Sequence, residues 1–441
     1  RAGGRFAIGD AKSLAGALLW LSRRAAGSFS SASRPVLWQI GDRAHDVPEL
    51  LPPLSRAFRV VSWENVLHGP IGNLAAMLFA PGAAQSDRDA LSRFWTGSRL
   101  VFSASPLLRY EGSDCLPFLA PVLERLFTEE KAFSARLYAA LRRLVRHDRP
   151  RAALTVNTPF TANILAAWAL RTEGVPVVYV QEGGLYGYCE APMHHYCELS
   201  WGDYFLSYGS GCADYLNATR LTPRQKAQAL PVGAFRLRRL AASAPDARGA
   251  KNVTVMYIAS NFHHNVRYAP LCYGEREYYR LRRAVLEALL EAPGARIIYK
   301  AVPRSLERDQ LNAFIASHSD RIEAVDAPLS SVLGQADSFV LDWPTTTLLE
   351  LLPTRKPIHV LLDAETARPI PGALPALRRR VRAHLDLPSL TRELSKPAAT
   401  AAESLDDAVF LDAYGTGGSA AWSEEKLVSF FQSLKAPDHH L

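Results

Sequence analysis

Cysteine is scarce in this chain, and what there is does not pair. Five cysteines occur in 441 residues: Cys115, Cys189, Cys197, Cys212 and Cys272. An odd number with no CxxC spacing argues against a disulfide framework or a structural zinc site and points to a reducing compartment. Long apolar runs are also missing. No stretch approaches the roughly 18 residues that a membrane-spanning helix needs. Residues 14–21 are apolar but few, and Arg23 and Arg24 follow them rather than precede them, the wrong order for a secretory signal. There is no GxGxxG fingerprint, which argues against a dehydrogenase. No zinc-finger, RNP or basic-zipper pattern supports nucleic acid as a partner. No internal repeat at solenoid periods is present.

What is there describes a globular protein of ordinary make-up. Hydrophobic residues make up 48% and charged residues 21%, enough to bury a core. The length favours two domains of roughly 200 residues each. The net charge of +8 suits anionic ligands such as nucleotides, or an anionic membrane surface. The chain opens on Arg1 rather than Met, as either a trimmed chain or one part of a larger protein would.

From residue 36 an alternating α/β rhythm sets in. Apolar runs predict strands over 36–40, 59–63, 100–102, 153–156, 177–180 and 204–207. Between them lie a short proline-limited helix at 47–58, an amphipathic stretch at 73–79, a long helical region over 121–147 opened by Pro121, and a helix over 160–172. Thr222 and Pro223 introduce a predicted helix over 221–230. Residues 241–251, small, polar and Pro/Gly-bearing, read as a linker. A second series follows, with strands at 253–258, 296–302, 338–342 and 357–362 and helices at 275–291, 305–317, 329–335 and 345–352. An amphipathic helix over 423–434 ends the pattern and could pack on either half. The order βαβα predicts doubly wound parallel sheets. Two such domains, 1–245 and 246–441, point to a transferase architecture in which acceptor and donor meet in an interdomain cleft.

Four polar interruptions of the apolar strands carry candidate chemistry. The first is Gln181-Glu182-Gly183-Gly184-Leu185-Tyr186-Gly187. A carboxylate at the carboxyl end of a strand sits where α/β sheets bind ligands. Glu182 can act as general base toward an acceptor hydroxyl, with its pKa raised if the closed cleft desolvates it. Gly183 and Gly184 would let a substrate approach the backbone, and Gln181 would contact it. Tyr186 and Tyr188 would offer ring faces to a sugar. The second is Asp342 followed by Thr345, Thr346 and Thr347, with Glu350 one turn on. Helix-start N–H groups and hydroxyls suit a phosphate, and Glu350 a ribose hydroxyl. The third is Lys300 and Arg304, cations flanking a strand end, suited to a leaving phosphate. The fourth is the polar run from Ser260 through Asn261, His263 and His264 to Asn265, expected on donor or substrate. A metal site from His194, His195, His263 and His264 is disfavoured, because adjacent histidines diverge. Asn157 and Thr158 end the neighbouring strand and should line the same cleft. Asp203 and Asp214 are the alternative carboxylates. The basic run at 377–385 reads as a solvated helix face or a contact for an anionic membrane surface.

These residues bring the chain close to a known group. It resembles bacterial surface-polysaccharide glycosyltransferases of the GT-B fold, including capsule and lipopolysaccharide transferases and the CDP-glycerol glycerophosphotransferases. The resemblance lies in residues 181–187, in Gly202-Asp203-Tyr204-Phe205-Leu206-Ser207-Tyr208-Gly209, in Lys300-Ala301-Val302-Pro303, and in the span from Asp342 to Glu350. It covers roughly 150–365. Two departures stand out: Glu182 replaces the usual His of a Gln-His-Gly-Gly run, and Val302 replaces the His of a His-Pro pair. A Glu base with a modified His-Pro site is similar to what β-Kdo transferases, users of CMP-Kdo, would show. The resemblance implies a metal-independent glycosyltransferase with no cofactor beyond a nucleotide-activated sugar as co-substrate. The acceptor would be a lipid-linked or growing surface glycan, met in the cytoplasm at the inner face of the membrane. The rival expectations are a CDP-polyol phosphotransferase and a non-catalytic nucleotide-sugar-binding subunit.

Overall fold

A computed structural model describes residues 34–40, 47–62, 93, 95–97, 109–110, 113–114, 116–125, 131–156, 161–190, 195–221, 225–243, 254–260, 274–301, 309–364, 367–396 and 408–435. The stretches expected at 73–79 and 100–102 lie outside them, as do residues 244–251 of the linker, His194 and His264. So do the candidate residues Asn157, Thr158, Asn261, His263 and Arg304.

Short runs of Val, Ile, Leu and aromatic residues form strands buried on both faces, the pattern of a parallel sheet covered by helices. Six belong to the first sheet: β1 Val36–Ile40, β2 Arg59–Ser62, β3 Ala152–Thr155, β4 Val177–Val180, β5 Tyr204–Ser207 and β6 Gln228–Pro231. They lie in the order β2-β1-β3-β4-β5-β6, every pair parallel. Six more form the second sheet: β7 Thr254–Ile258, β8 Arg296–Lys300, β9 Ile322–Val325, β10 Ser338–Leu341, β11 Ile358–Leu361 and β12 Arg382–His384. Their order is β9-β8-β7-β10-β11-β12, again all parallel. That order reverses direction between β7 and β10, which makes their carboxyl ends a topological switch point. The protein is thus α/β, with two doubly wound Rossmann-like sheets.

Two expectations fail at sheet edges, and a third edge strand was not foreseen. Residues 228–230, expected to end a helix over 221–230, lie in β6, and a helix at Phe235–Ser243 follows. Strand β9 had no expectation. The basic run at 377–385 is no helix face: the short helix Leu374–Arg378 gives way to β12. Arg380 within it is buried, donating to the Leu352 and Lys356 carbonyls. Pro121 also sits inside a helix, Leu116–Arg125, rather than at its start. The Asp114 carboxylate accepts from the Leu116 N–H at 2.9 Å and sets the earlier beginning.

The last helix, Glu424–Ser433, is capped by Ser423 and packs on the first sheet. Leu427 and Phe431 are fully buried there, each burial contributing roughly 1.5–3 kcal/mol. Phe431 meets Phe58, and Phe430 meets Tyr204. One apolar cluster runs through both sheets, joining Tyr188, Phe205 and Tyr414 to Phe339, Leu348 and Leu349.

Candidate active site

The loop after β4 is built on Gln181. Its side chain is fully buried. The amide Nε2 donates to the Gly183 carbonyl at 2.7 Å, and Oε1 accepts from the Tyr208 N–H at 2.9 Å. The side chain expected on substrate therefore ties its own loop to the end of β5. Glu182 sits between Gln181 and the two glycines, and is half-buried. Leu185 follows at φ 77°, a left-handed conformation that is strained for a branched side chain. Such strain is characteristic of functional loops.

Gly183 and Gly184 do serve close approach, but to the other half of the protein. A Cβ on Gly183 would lie 2.2 Å from Thr346 Oγ1. One on Gly184 would lie 2.5 Å from the Tyr188 hydroxyl and 2.8 Å from both C and O of Thr345. The Gly184 N–H donates to Thr346 Oγ1 at 3.2 Å, and the Tyr188 hydroxyl to the Pro344 carbonyl at 3.2 Å. The carboxyl-end loops of the two sheets thus meet backbone to backbone. Sequence order alone puts these stretches far apart.

Tyr186 and Tyr188, expected to face a sugar, are core residues instead. Both are buried; Tyr186 packs on Phe205, and Tyr188 on Phe410 and Tyr414. The Tyr186 hydroxyl donates at 2.6 Å to Oε1 of Glu198, which no sequence signal had singled out. Glu198 lies on one π-helical turn, His195–Leu199, a form often found at functional positions. Its carboxyl is fully buried, and Oε2 has no hydrogen-bond partner among the described residues. Burial pushes the Glu198 carboxyl well above the usual range; the Tyr186 hydrogen bond opposes the shift and the nearby Glu182 charge adds to it. Burial, then Glu198 and Glu182, push the Tyr186 phenol up as well. A carboxyl that prefers its proton therefore lies within electrostatic reach of the candidate base.

On the second sheet, Asp342 ends β10 at the switch point. It is buried, and accepts from the Ser260 N–H at 3.0 Å, the Ser260 hydroxyl at 2.5 Å, the Tyr257 hydroxyl at 2.8 Å and the Tyr278 hydroxyl at 3.1 Å. Burial raises its carboxyl above the usual value, against the pull of those hydrogen bonds. Expected on the donor, Asp342 instead clamps the turn after β7 to the end of β10. Of the three threonines, Thr345 caps the helix Thr346–Leu351 through the Thr347 N–H, and Thr346 holds Gly184. Thr347 is half-buried beside them. Glu350 pairs with Arg236 at 2.8 Å, a bridge from this helix to the one after β6. Lys300 ends β8, buried, with its ammonium on the Ala301 carbonyl. Burial lowers its pKa, and the charge of Asp326 opposes that.

Of the alternative carboxylates, Asp203 is structural: it accepts from the Val177 N–H at 2.9 Å and pairs with Arg171 at 3.2 Å. Asp214 is exposed on the helix Ser210–Ala218. Glu182, Gly183, Gly184 and the three threonines form one crest. Lys300, Asp342 and Glu350 stand on the second-sheet side of it.

Several solved structures follow a similar course of chain at 10–15% sequence identity. They include a UDP-N-acetylglucosamine 2-epimerase from Neisseria meningitidis bound to UDP-GlcNAc (12% identity, 90% of this chain and 99% of that one, TM-score 0.48). A putative UDP-N-acetylglucosamine 2-epimerase from Listeria monocytogenes is similar too (14%, 93% and 100%, TM-score 0.49). So is MurG from Acinetobacter baumannii (10%, 90% and 99%, TM-score 0.47). No curated protein sequence matches the chain. A family model, described as LIC12162 family transferase, matches residues 106–379, more than half of the chain and the whole of the crest described above. The chain belongs to the LIC12162 family of transferases.

Proposed function

We propose that this transferase moves a sugar from a nucleotide-activated donor to a hydroxyl of a lipid-linked or growing surface glycan. The observation that carries this reading is the meeting of a carboxylate-bearing loop with a hydroxyl-rich helix start at the carboxyl ends of two parallel sheets. In an open α/β sheet that end is the ligand end. Glu182, half-buried and next to the contact, is the group we assign as general base. It accepts the proton of the acceptor hydroxyl as that oxygen attacks the anomeric carbon, and the nucleotide leaves with the glycosidic bond electrons. Glu198 and Tyr186 hold the floor beneath it. Thr347 and the neighbouring backbone, with Lys300 and Arg304, are assigned to the donor phosphate, and Glu350 to the ribose. Glu350 then exchanges its Arg236 partner for a ribose hydroxyl. Asn157, Thr158, Asn261 and His263 are assigned to the substrates. No metal ion is assigned a role.

For the donor we propose CMP-Kdo, on the strength of Glu182 standing where related enzymes carry His. Among the described residues no helix is long and apolar enough to cross a membrane, and work at the inner membrane face would rest on peripheral contact. The test is a panel of CMP-, CDP-, UDP- and GDP-linked donors with purified protein. Release of CMP with sugar in the product supports the reading. Phosphorus in the product would make the protein a polyol phosphotransferase, and nucleotide binding without turnover would make it a binding subunit.

A further inference from the structure

A cavity lies at the end of the first sheet opposite the Glu182 loop. It has a volume of about 770 Å³ and is lined by Trp168, Arg171, Trp201, Asp203, Tyr204 and Lys226, among others, a size typical of small-molecule sites. Its walls are the turns that lead into β4 and β5, Gly174–Pro176 and Ser200–Asp203. These strands are four residues long, so about 13 Å of strand separates the cavity from the Glu182 loop.

The lining is unusual for a folding surface. Trp168 is 51% exposed on the helix Thr161–Thr172, where burial offers no reason for an indole. Its ring is backed by Tyr138, with centroids 4.8 Å apart and planes 33° apart, and the Tyr138 hydroxyl is hydrogen-bonded to Thr172 at 2.8 Å. The indole is thus held with one face toward solvent. Trp201 and Tyr204 add two half-buried rings. The polar floor is equally fixed. Arg171 pairs with Asp203 at 3.2 Å and donates to the Ser200 carbonyl at 3.4 Å, while Asp203 is anchored on the Val177 N–H at 2.9 Å. Because Arg171 and Asp203 offset each other, Lys226 is left as the single uncompensated cation among the lining residues.

We propose that this cavity is an oligosaccharide-binding subsite that holds a glycan chain away from the transfer centre. Sugar rings present apolar C–H faces and a rim of hydroxyls. Fixed aromatic planes match the faces, and a guanidinium and carboxylate side by side match paired hydroxyls. A single uncompensated cation, Lys226, does not make the convergent set of cations that a phosphate would call for. That the chain is the acceptor of the transferase rests on the function proposed above; the sugar-binding chemistry of the cavity does not. Two linked sites raise the effective concentration of a long acceptor at the transfer centre and do nothing for a short one.

The test is calorimetric titration of the full chain with maltoheptaose, chitohexaose and a polygalacturonate heptamer, followed by tryptophan fluorescence. Saturable binding of at least one is expected. Trp168→Ala should weaken it about tenfold, Trp168→Phe much less; loss of the Tyr138 contact should lower the unfolding temperature of Trp168→Ala only slightly, and neither variant should alter the affinity for CMP and UDP. No saturable binding of any of the three overturns the proposal, as does binding indifferent to Trp168→Ala. Binding of phosphatidylglycerol vesicles in their place, lost in Lys226→Ala, would overturn it in favour of a lipid surface. Oligosaccharide binding that depends on Trp168 in a protein without transfer activity would defeat the proposed function and leave the subsite standing.

Discussion

Gly184→Ala tests the central feature of the site, the backbone contact between the two sheets' loops. The added Cβ would stand 2.8 Å from the carbon and oxygen of Thr345 and 2.5 Å from the Tyr188 hydroxyl. Ordinary contact begins near 3.4 Å, so the Thr345 backbone has to retreat by about half an ångström, in line with the 3.5–4.0 Å optimum for carbon contacts. Overpacking of this kind costs about 1–3 kcal/mol. The retreat also stretches the Gly184 N–H to Thr346 Oγ1 bond, worth about 0.5–1.5 kcal/mol. The smaller entropy of unfolded Ala returns about 0.4–1 kcal/mol. The balance is a loss on the order of 2 kcal/mol, read as a lower urea midpoint and an unfolding temperature reduced by roughly 4–8 °C. Glu182 lies two residues away, so a shift of this size should also lower kcat by about tenfold, given that about 1 Å of misplacement can cost a hundredfold. Gly334→Ala is the control: its Cβ would meet nothing within 4 Å, and stability should be unchanged or slightly raised. Gly183→Ala is the second comparison. Its clash is with the Thr346 hydroxyl alone, so Thr346→Ala in the same chain should relieve it, whereas no side-chain truncation frees Gly184→Ala from Thr345. A Gly184→Ala protein with wild-type midpoint and turnover would refute the packing account of the glycine pair.

Three further outcomes follow from the same geometry. Glu182→Gln should abolish transfer, by 10²-fold or more for loss of a general base, with nucleotide affinity nearly intact by calorimetry; unchanged turnover would remove Glu182 from the mechanism. Glu198 has a raised carboxyl pKa in the folded protein. Above the ordinary glutamate value the unfolded chain has released a proton that the folded one retains, so Glu198 makes stability fall as pH rises. Glu198→Gln, which copies the protonated form and still accepts from Tyr186, should flatten that fall in a series of thermal melts from pH 5 to 8; an identical slope would argue that Glu198 ionises freely. Asp342→Asn turns a donor toward the hydroxyls of Tyr257, Tyr278 and Ser260, and should cost about 2–4 kcal/mol by urea unfolding, since hydrogen bonds to a buried charge are worth about 1.5–3 kcal/mol each before repacking. A loss below the error of the measurement would show that the clamp is dispensable.

Sequence by itself determined the alternation of elements and the position of nearly every central strand. Those strands are buried on both faces, so they stand out as apolar runs such as Val177–Val180 and Ser338–Leu341. It also located the polar interruptions, because a glycine pair or three threonines after such a run has no role in the run itself. The strands it missed in the two large sheets, β6, β9 and β12, are all sheet edges with partly exposed residues, where one neighbour is absent and the apolar demand falls away. What only the tertiary structure decided is which polar residue does which work. Gln181 and Asp342 are used up on backbone and hydroxyl groups beside their own sheets. Tyr186 is buried on Glu198, a residue that looks unremarkable in a stretch reading HYCEL. The glycines face Thr345 and Thr346, more than 150 residues away. Residue type and spacing report the local backbone, but a hydrogen-bond partner across two sheets depends on how those sheets are set against each other, and that is a property of the packed core alone.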